Sequence, residues 1–153
     1  MTPHEKLNST VYVLGFAFSH TMRSVVLIEK QKPAWQAGKL NGVGGKVERG
    51  ETAEDAICRE FAEETGVTYT CHRDWLYIMT MRFQNGAIIH VYTTKLIEGT
   101  EVRTMEVERV DVYPVDDFGH LRGEFETIRN LNWLIPLCYH QLTEPPQERM
   151  LTR

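Results

Sequence analysis

The sequence predicts an α/β fold, a mixed sheet packed between helices. Three observations carry that prediction. Apolar side chains alternate at two-residue spacing on either side of a central segment, which marks strands. In that segment a glycine-rich loop, Gly44-Gly45-Lys46-Val47-Glu48-Arg49-Gly50-Glu51, feeds a capped helix that stops at Gly66. The resulting order is three strands, loop, helix, three strands, helix, and it leaves both faces of a sheet to be covered.

Composition bounds the rest. The chain has 153 residues, 42% hydrophobic and 25% charged, which suits one soluble domain over residues 1–153 with a real core. A net charge of −4 argues against tight binding to nucleic acid or an anionic membrane. There is no 18-residue apolar run and no signal peptide opens the chain. Cys58, Cys71 and Cys138 have neither metal-ligand nor CxxC spacing, so reduced thiols in a cytoplasmic protein are expected. The histidines are scattered, with no pair at ligand spacing.

Taken in order, the first strand is Thr10–Phe18, with Tyr12, Leu14, Phe16 and Phe18 on one face. Val11, Val13, Gly15 and Ala17 make the other face apolar too, so the strand is expected to be covered on both sides. Ser19–Met22 turns into a second strand, Ser24–Lys30, and Gln31–Leu40 is a polar loop. Thr52 caps the helix with Asp55 reaching back to it, and Gly66 supplies the left-handed stop. Trp75–Phe83 and Ala87–Leu96 then form a hairpin through Asn85-Gly86, a type I′ signal. His90 shares a face with Ile88 and Tyr92, as a core or pocket-lining residue. Gly99–Arg109 is a charged loop, and Val110–Val115 is an edge strand because of Pro114. Asn132 caps a last helix with Pro136 near its first turn and Trp133, Leu134, Leu137 and Cys138 on the buried side. Residues 143–153, polar with two prolines, read as a loose tail.

The chemistry concentrates on the first helix. Glu60, Glu63 and Glu64 stand at i, i+3 and i+4, on one face and within about one turn. Like charges so placed are destabilising, and Arg59 alone cannot neutralise three carboxylates. Clustered hard oxygens suit Mg²⁺ or, alternatively, Mn²⁺. A solvated acidic face is the bland reading, weakened by neighbouring glycines that let backbone groups approach an ion or phosphate.

Gly45, Glu51 and the run Arg59-Glu60-Phe61-Ala62-Glu63-Glu64-Thr65-Gly66-Val67 resemble the signature box of the Nudix hydrolases. Phe61 stands where the family usually has an aliphatic residue, and it falls on the apolar side with Ile57. Leu40-Asn41-Gly42-Val43-Gly44-Gly45-Lys46 is similar to the segment entering the box in the MutT-like branch, which sanitises nucleotide pools. The resemblance implies a Nudix-like α/β/α sandwich with a mixed central sheet. It also implies Mg²⁺-dependent cleavage of a nucleoside triphosphate, ribo or deoxy, to monophosphate and pyrophosphate.

Roles follow from the same resemblance. Glu60 and Glu64 would hold metal with the Gly44 carbonyl, and Glu63 would be a ligand or the base that activates water. Arg59 would orient Glu63, and Glu51 would hold the loop or an outer-shell water. Asn41 would contact the base, with a turn former as its plain alternative. Lys46 and Lys30 would meet phosphate, although a solvated strand end fits Lys30 equally well. Glu106 or Glu108 would add a further carboxylate, or be solvated in its loop. The partner implied is a small nucleotide, with a homodimer as an allowed assembly. One member of the branch, which acts on oxidised purines, carries paired aspartates before the last helix. This chain has Arg129, Asn130 and Leu131 there, so a preference for oxidised guanine is not expected. The runner-up is a Nudix enzyme of a dinucleotide or nucleotide sugar such as ADP-ribose, against which the lack of proline between Gly66 and Pro114 counts. A retired, ligand-sensing module comes third, because clustered charge is costly to keep without metal.

Overall fold

The first long strand, β1 (Val11–Phe18), is the spine of the sheet in the computed structural model, which describes residues 9–144. It runs parallel to β6 (Ile88–Lys95) from Val11↔Ile88 to Phe18↔Lys95. β5 (Leu76–Arg82) lies antiparallel outside β6. On the other side β1 meets β2 (Ser24–Glu29) at Phe18↔Val25. Beyond that point β4 (Val43–Lys46) takes the place beside β1, from Tyr12↔Lys46 to Gly15↔Val43. β3 (Leu40–Asn41) and β7 (Val110–Pro114) both pair antiparallel with β2. The sheet is mixed, seven-stranded, and ordered β3-β2-β1-β6-β5 along its main path.

Each face carries a helix, and the two-residue period decides which side chains meet it. Val13, Ala17, Val26, Ile28 and Tyr92 bury against α1 (Ala53–Thr65) through Ile57 and Phe61. Leu14, Phe16, Phe18, Val25 and Leu27 bury against α2 (Leu131–Thr143) through Leu131, Leu134, Ile135 and Cys138. β1 is covered on both sides and the α/β/α sandwich holds. Phe61 is fully buried and meets Trp75 edge-on at 5.2 Å between ring centres, so the aromatic substitution in the box is absorbed by packing.

Several local expectations change. The glycine-rich stretch is strand, not loop, across Leu40–Asn41 and Val43–Lys46. Its glycines conceal that in the sequence, yet a Cβ at Gly44 would strike the Val13 carbonyl of β1. The hairpin is not type I′: Gly86 has φ 89° but Asn85 is not in the left-handed region. Gly86 N–H donates to Phe83 O at 3.0 Å and Phe83 N–H to Ala87 O at 2.9 Å, a three-residue loop ending in a left-handed glycine. Asn85 contributes its Oδ1, which accepts from Ala87 N–H.

The last helix starts two residues earlier than expected. Asn130, not Asn132, is its N-cap, without a side-chain cap bond, and Pro136 lies inside the helix rather than in its first turn. Trp133 faces outward, 45% exposed, while Leu131 and Ile135 join Leu134 and Cys138 in the core. Thr143 closes α2 and is helical, not tail; the rest of the expected tail, beyond Glu144, lies outside the described residues. β7 pairs with β2 alone among the described strands and is an edge, as Pro114 implied.

Candidate active site

The helix α1 begins with a reciprocal cap. Thr52 Oγ1 accepts from Asp55 N–H and Asp55 Oδ2 accepts from Thr52 N–H, both at 3.0 Å. It ends at Gly66, φ 79°, whose N–H donates to Ala62 O. Between those fixed ends Ile57 and Phe61 anchor one face in the core, which aims Glu60, Glu63 and Glu64 at the loop and β4.

Arg59 gathers the carboxylates. Its Nε and Nη2 grip Glu51 at 3.0 and 2.7 Å in a fork. Nη1 reaches Glu60 at 2.9 Å and Glu63 at 3.2 Å, and Nη2 also donates to the Lys46 carbonyl at 3.0 Å. Glu51 in turn accepts from Glu48 N–H at 2.7 Å, so it ties the loop to the helix. The Arg59 fork, opposed by burial, holds Glu51 below the usual carboxylate range. Glu51, then Glu60, push the already high Arg59 value higher.

Glu60 and Glu64 differ from these. Glu60 lies against Gly45, where an added Cβ would sit 2.6 Å from the Glu60 carboxyl carbon. Burial raises its pKa despite the Arg59 contact. Glu64 is pushed up to about 8, chiefly by burial and then by Glu60. Its Oε2 is buried with no hydrogen-bond partner, which native structures rarely tolerate.

That orphaned oxygen is the observation against which a cation can be judged. A buried carboxylate beside another carboxylate needs a proton or a metal ion. Among the described residues no three His, Cys, Asp or Glu side chains form a ready-made cage. Mg²⁺ seldom requires one, since it takes one or two protein carboxylates and fills its shell with water and substrate phosphate. Glu60 and Glu64 therefore fit such an ion.

Beside β4 opens a cleft of about 420 Å³. Gly44 and Gly45 line it, so the strand that touches Glu60 also forms a cleft wall. Leu14, Met81, Ile89, Leu131 and Leu134 supply apolar lining. Asn41, Gln36 and Asn130 supply amides, and exposed Trp35 and Phe83 add flat rings. Asn41 Oδ1 accepts from Gly42 N–H at 2.8 Å and its Nδ2 meets Gln36 Oε1 at 3.4 Å, which sets the amide's orientation.

The structure thus joins Glu51, Arg59, Glu60 and Glu63 in one network, with Glu64 adjoining it, and joins Asn41 with Gly44 at the cleft. Lys30 also lines the cleft, but its Nζ is paired with Glu108 at 3.0 Å. Lys46 enters the network through its carbonyl while its side chain is exposed and outside the cleft lining. Glu108 is taken up by Lys30 and by backbone N–H groups of Gln31 and Lys32. Exposed Glu106 acts on Glu60 and Glu64 through its charge. His90 bonds Thr80 at 2.7 Å and lies outside the cleft lining. Trp35, Phe83 and Asn130 were not picked out as site residues; a large aromatic in an otherwise polar loop was the available signal for Trp35.

The chain is similar to known proteins in both sequence and fold. The NUDIX domain model matches residues 8–134. The mouse oxidized purine nucleoside triphosphate hydrolase is 31% identical over 87 residues, 54% of either chain. The 8-oxo-dGTP diphosphatase of Escherichia coli K12 is 43% identical over 44 residues, 29% of this chain and 34% of its own. The chain thus spans about half the length of the first relative and a third of the second. The MutT NUDIX hydrolase of Burkholderia pseudomallei superposes with a TM-score of 0.63 at 22% identity, covering 89% of this chain and 99% of that one.

Proposed function

This chain belongs to the NUDIX family, and on that premise we propose that it is a divalent-metal-dependent pyrophosphohydrolase of nucleoside triphosphates. The reaction is hydrolysis of the α–β anhydride: water attacks one of the two phosphorus atoms, its bond to the bridging oxygen breaks, and nucleoside monophosphate and pyrophosphate are released. One observation carries the reading: the strand that presses on Glu60 also walls a cleft of nucleobase character.

The cleft suits a planar heterocycle. Trp35 and Phe83 offer ring faces, worth about 1–3 kcal/mol per stacked base. Asn41 and Asn130 offer amide edges, each with donors and an acceptor. Among the described residues no carboxylate lines the cleft, and the reading carries no preference for oxidised guanine.

Glu60 and Glu64, with the Gly44 carbonyl, would hold Mg²⁺ or Mn²⁺, which when bound neutralises phosphate charge and draws electron density from phosphorus. Arg59 keeps Glu60 and Glu63 in register by bonding both from one guanidinium nitrogen. Glu51 fixes the Arg59 plane through its fork and has no free edge for the substrate. Glu63 is the exposed member, its side chain 49% accessible, and can accept the proton that attacking water must lose. The three free thiols suit a reducing cytoplasm, and no described helix is long and apolar enough to cross a membrane.

The test is a panel of ribo- and deoxynucleoside triphosphates, 8-oxo-dGTP, ADP-ribose and dinucleoside polyphosphates with Mg²⁺, scored for products. Triphosphates giving monophosphate and pyrophosphate support the reading. If ADP-ribose or a dinucleotide exceeds every triphosphate tenfold in kcat/KM, about 1.4 kcal/mol, the substrate assignment passes to that class.

A further inference from the structure

The segment between β6 and β7 touches two parts of the site that are distant in sequence. Its middle runs past the end of α1, where Arg103 N–H donates to Thr65 O at 2.9 Å and Met105 N–H to Glu64 O at 3.4 Å. Its end reaches the loop of residues 31–39. β2 and β7 are antiparallel with Ile28 opposite Val110, and Glu29 N–H donates to Arg109 O at 2.8 Å. The next pair in that register is Lys30 with Glu108.

There the Glu108 carboxylate accepts from three donors. They are Lys30 Nζ at 3.0 Å, Gln31 N–H at 2.5 Å and Lys32 N–H at 3.4 Å. Gln31 Nε2 adds a bond to Val107 O at 3.3 Å. The loop's base is closed separately by Lys30 N–H to Lys39 O and Gly38 N–H to Lys30 O. Between these ties the 3-10 turn Ala34–Gln36 carries Trp35 to the cleft and Gln36 to Asn41.

We propose that Glu108 is a positioning residue whose carboxylate clamps the 31–39 loop, so that Trp35 and Gln36 stand where the substrate's base enters. The identity of that base rests on the proposed function; the clamp itself does not. Charged acceptors order backbone N–H groups more strongly than neutral ones. A wall that must be ordered on binding lowers apparent affinity by the fraction of competent conformers, and leaves the bound complex intact. The signature is therefore a rise in KM more than a fall in kcat. This differs from a metal-binding or basic role for Glu108, which would lower kcat.

Glu108→Ala and Glu108→Gln test the clamp, by hydrogen exchange and by triphosphate kinetics. In Glu108→Ala, exchange at Ala37, Gly38 and Lys39 should rise about tenfold while amides of α1 and β1 keep wild-type rates. KM should rise by a similar factor, with an unchanged Mg²⁺ requirement. Glu108→Gln should fall between, because its amide oxygen still accepts from Gln31 N–H. Wild-type exchange in the loop of Glu108→Ala overturns the proposal. So does a hundredfold drop in kcat with a raised Mg²⁺ requirement. The exchange result stands even if no triphosphate is cleaved, so failure of the clamp and failure of the proposed function are separate outcomes.

Discussion

Glu64→Gln probes a buried carboxylate with an unpartnered oxygen. In the folded chain without metal, burial and then Glu60 raise the Glu64 pKa from 4.5 to about 8. Unfolding returns it to the ordinary value, so between those limits the folded state holds more protons than the unfolded one. Stability is then fully present below about pH 4.5 and falls as pH rises toward 8. At 1.36 kcal/mol per unit, the loss by pH 7 is on the order of 3 kcal/mol. Glutamine removes the titration but leaves an unpaired buried amide, which gives back about 1 kcal/mol. The net gain at pH 7 is about 2 kcal/mol, or roughly 4–8 °C in Tm for a domain of this size. Melts in EDTA from pH 5 to 9 should show wild-type Tm falling and the variant nearly flat. Mg²⁺ should lift the wild type at pH 8 and do little for the variant. Turnover of Glu64→Gln should drop by roughly two or more orders of magnitude, since charge is lost where the cation is neutralised. Parallel wild-type and variant melts across that pH range would refute the reasoning.

Three further outcomes follow from the site. Gly45→Ala places a Cβ against the Glu60 carboxyl group, and because that group ends a flexible side chain the fold should survive; circular dichroism should stay unchanged while kcat falls at least tenfold, about 1.4 kcal/mol. Asn41→Ala should reduce discrimination among bases by about 1–3 kcal/mol in kcat/KM ratios, with the Mg²⁺ requirement intact. Turnover should climb from neutral toward alkaline pH, because Glu64, pushed up to about 8 in the metal-free protein, must lose its proton to hold a cation; an optimum near pH 5 would point to acid catalysis instead.

The box was legible because its signals are local. A Thr52–Asp55 cap, a Gly66 stop and three carboxylates at helical spacing can all be read within fifteen or so residues, and each holds in the structure. Phe61 could be placed because Ile57 shares its face. β3 and β4 were hidden, since glycines that read as loop are there for close approach to β1 and Glu60. The partnership of Lys30 with Glu108 spans 78 residues and exists only through the β2–β7 register, so neither side chain's role could be settled from its neighbours. Trp133 failed for a different reason: the buried stripe of α2 pairs Leu134 with Ile135 and not with Trp133, and one position is about 100° around a helix, enough to move a residue from core to solvent.

The claim at the centre is that the Glu60–Glu64 face of α1 holds a divalent cation. Mn²⁺ titration followed by electron paramagnetic resonance reads it directly, without substrate and without turnover. Wild-type protein should bind Mn²⁺, and Mg²⁺ should compete for it. Glu60→Gln and Glu64→Gln should each weaken binding at least tenfold with unchanged circular dichroism, about 1.4 kcal/mol or more. Undiminished Mn²⁺ binding in both variants would contradict the account.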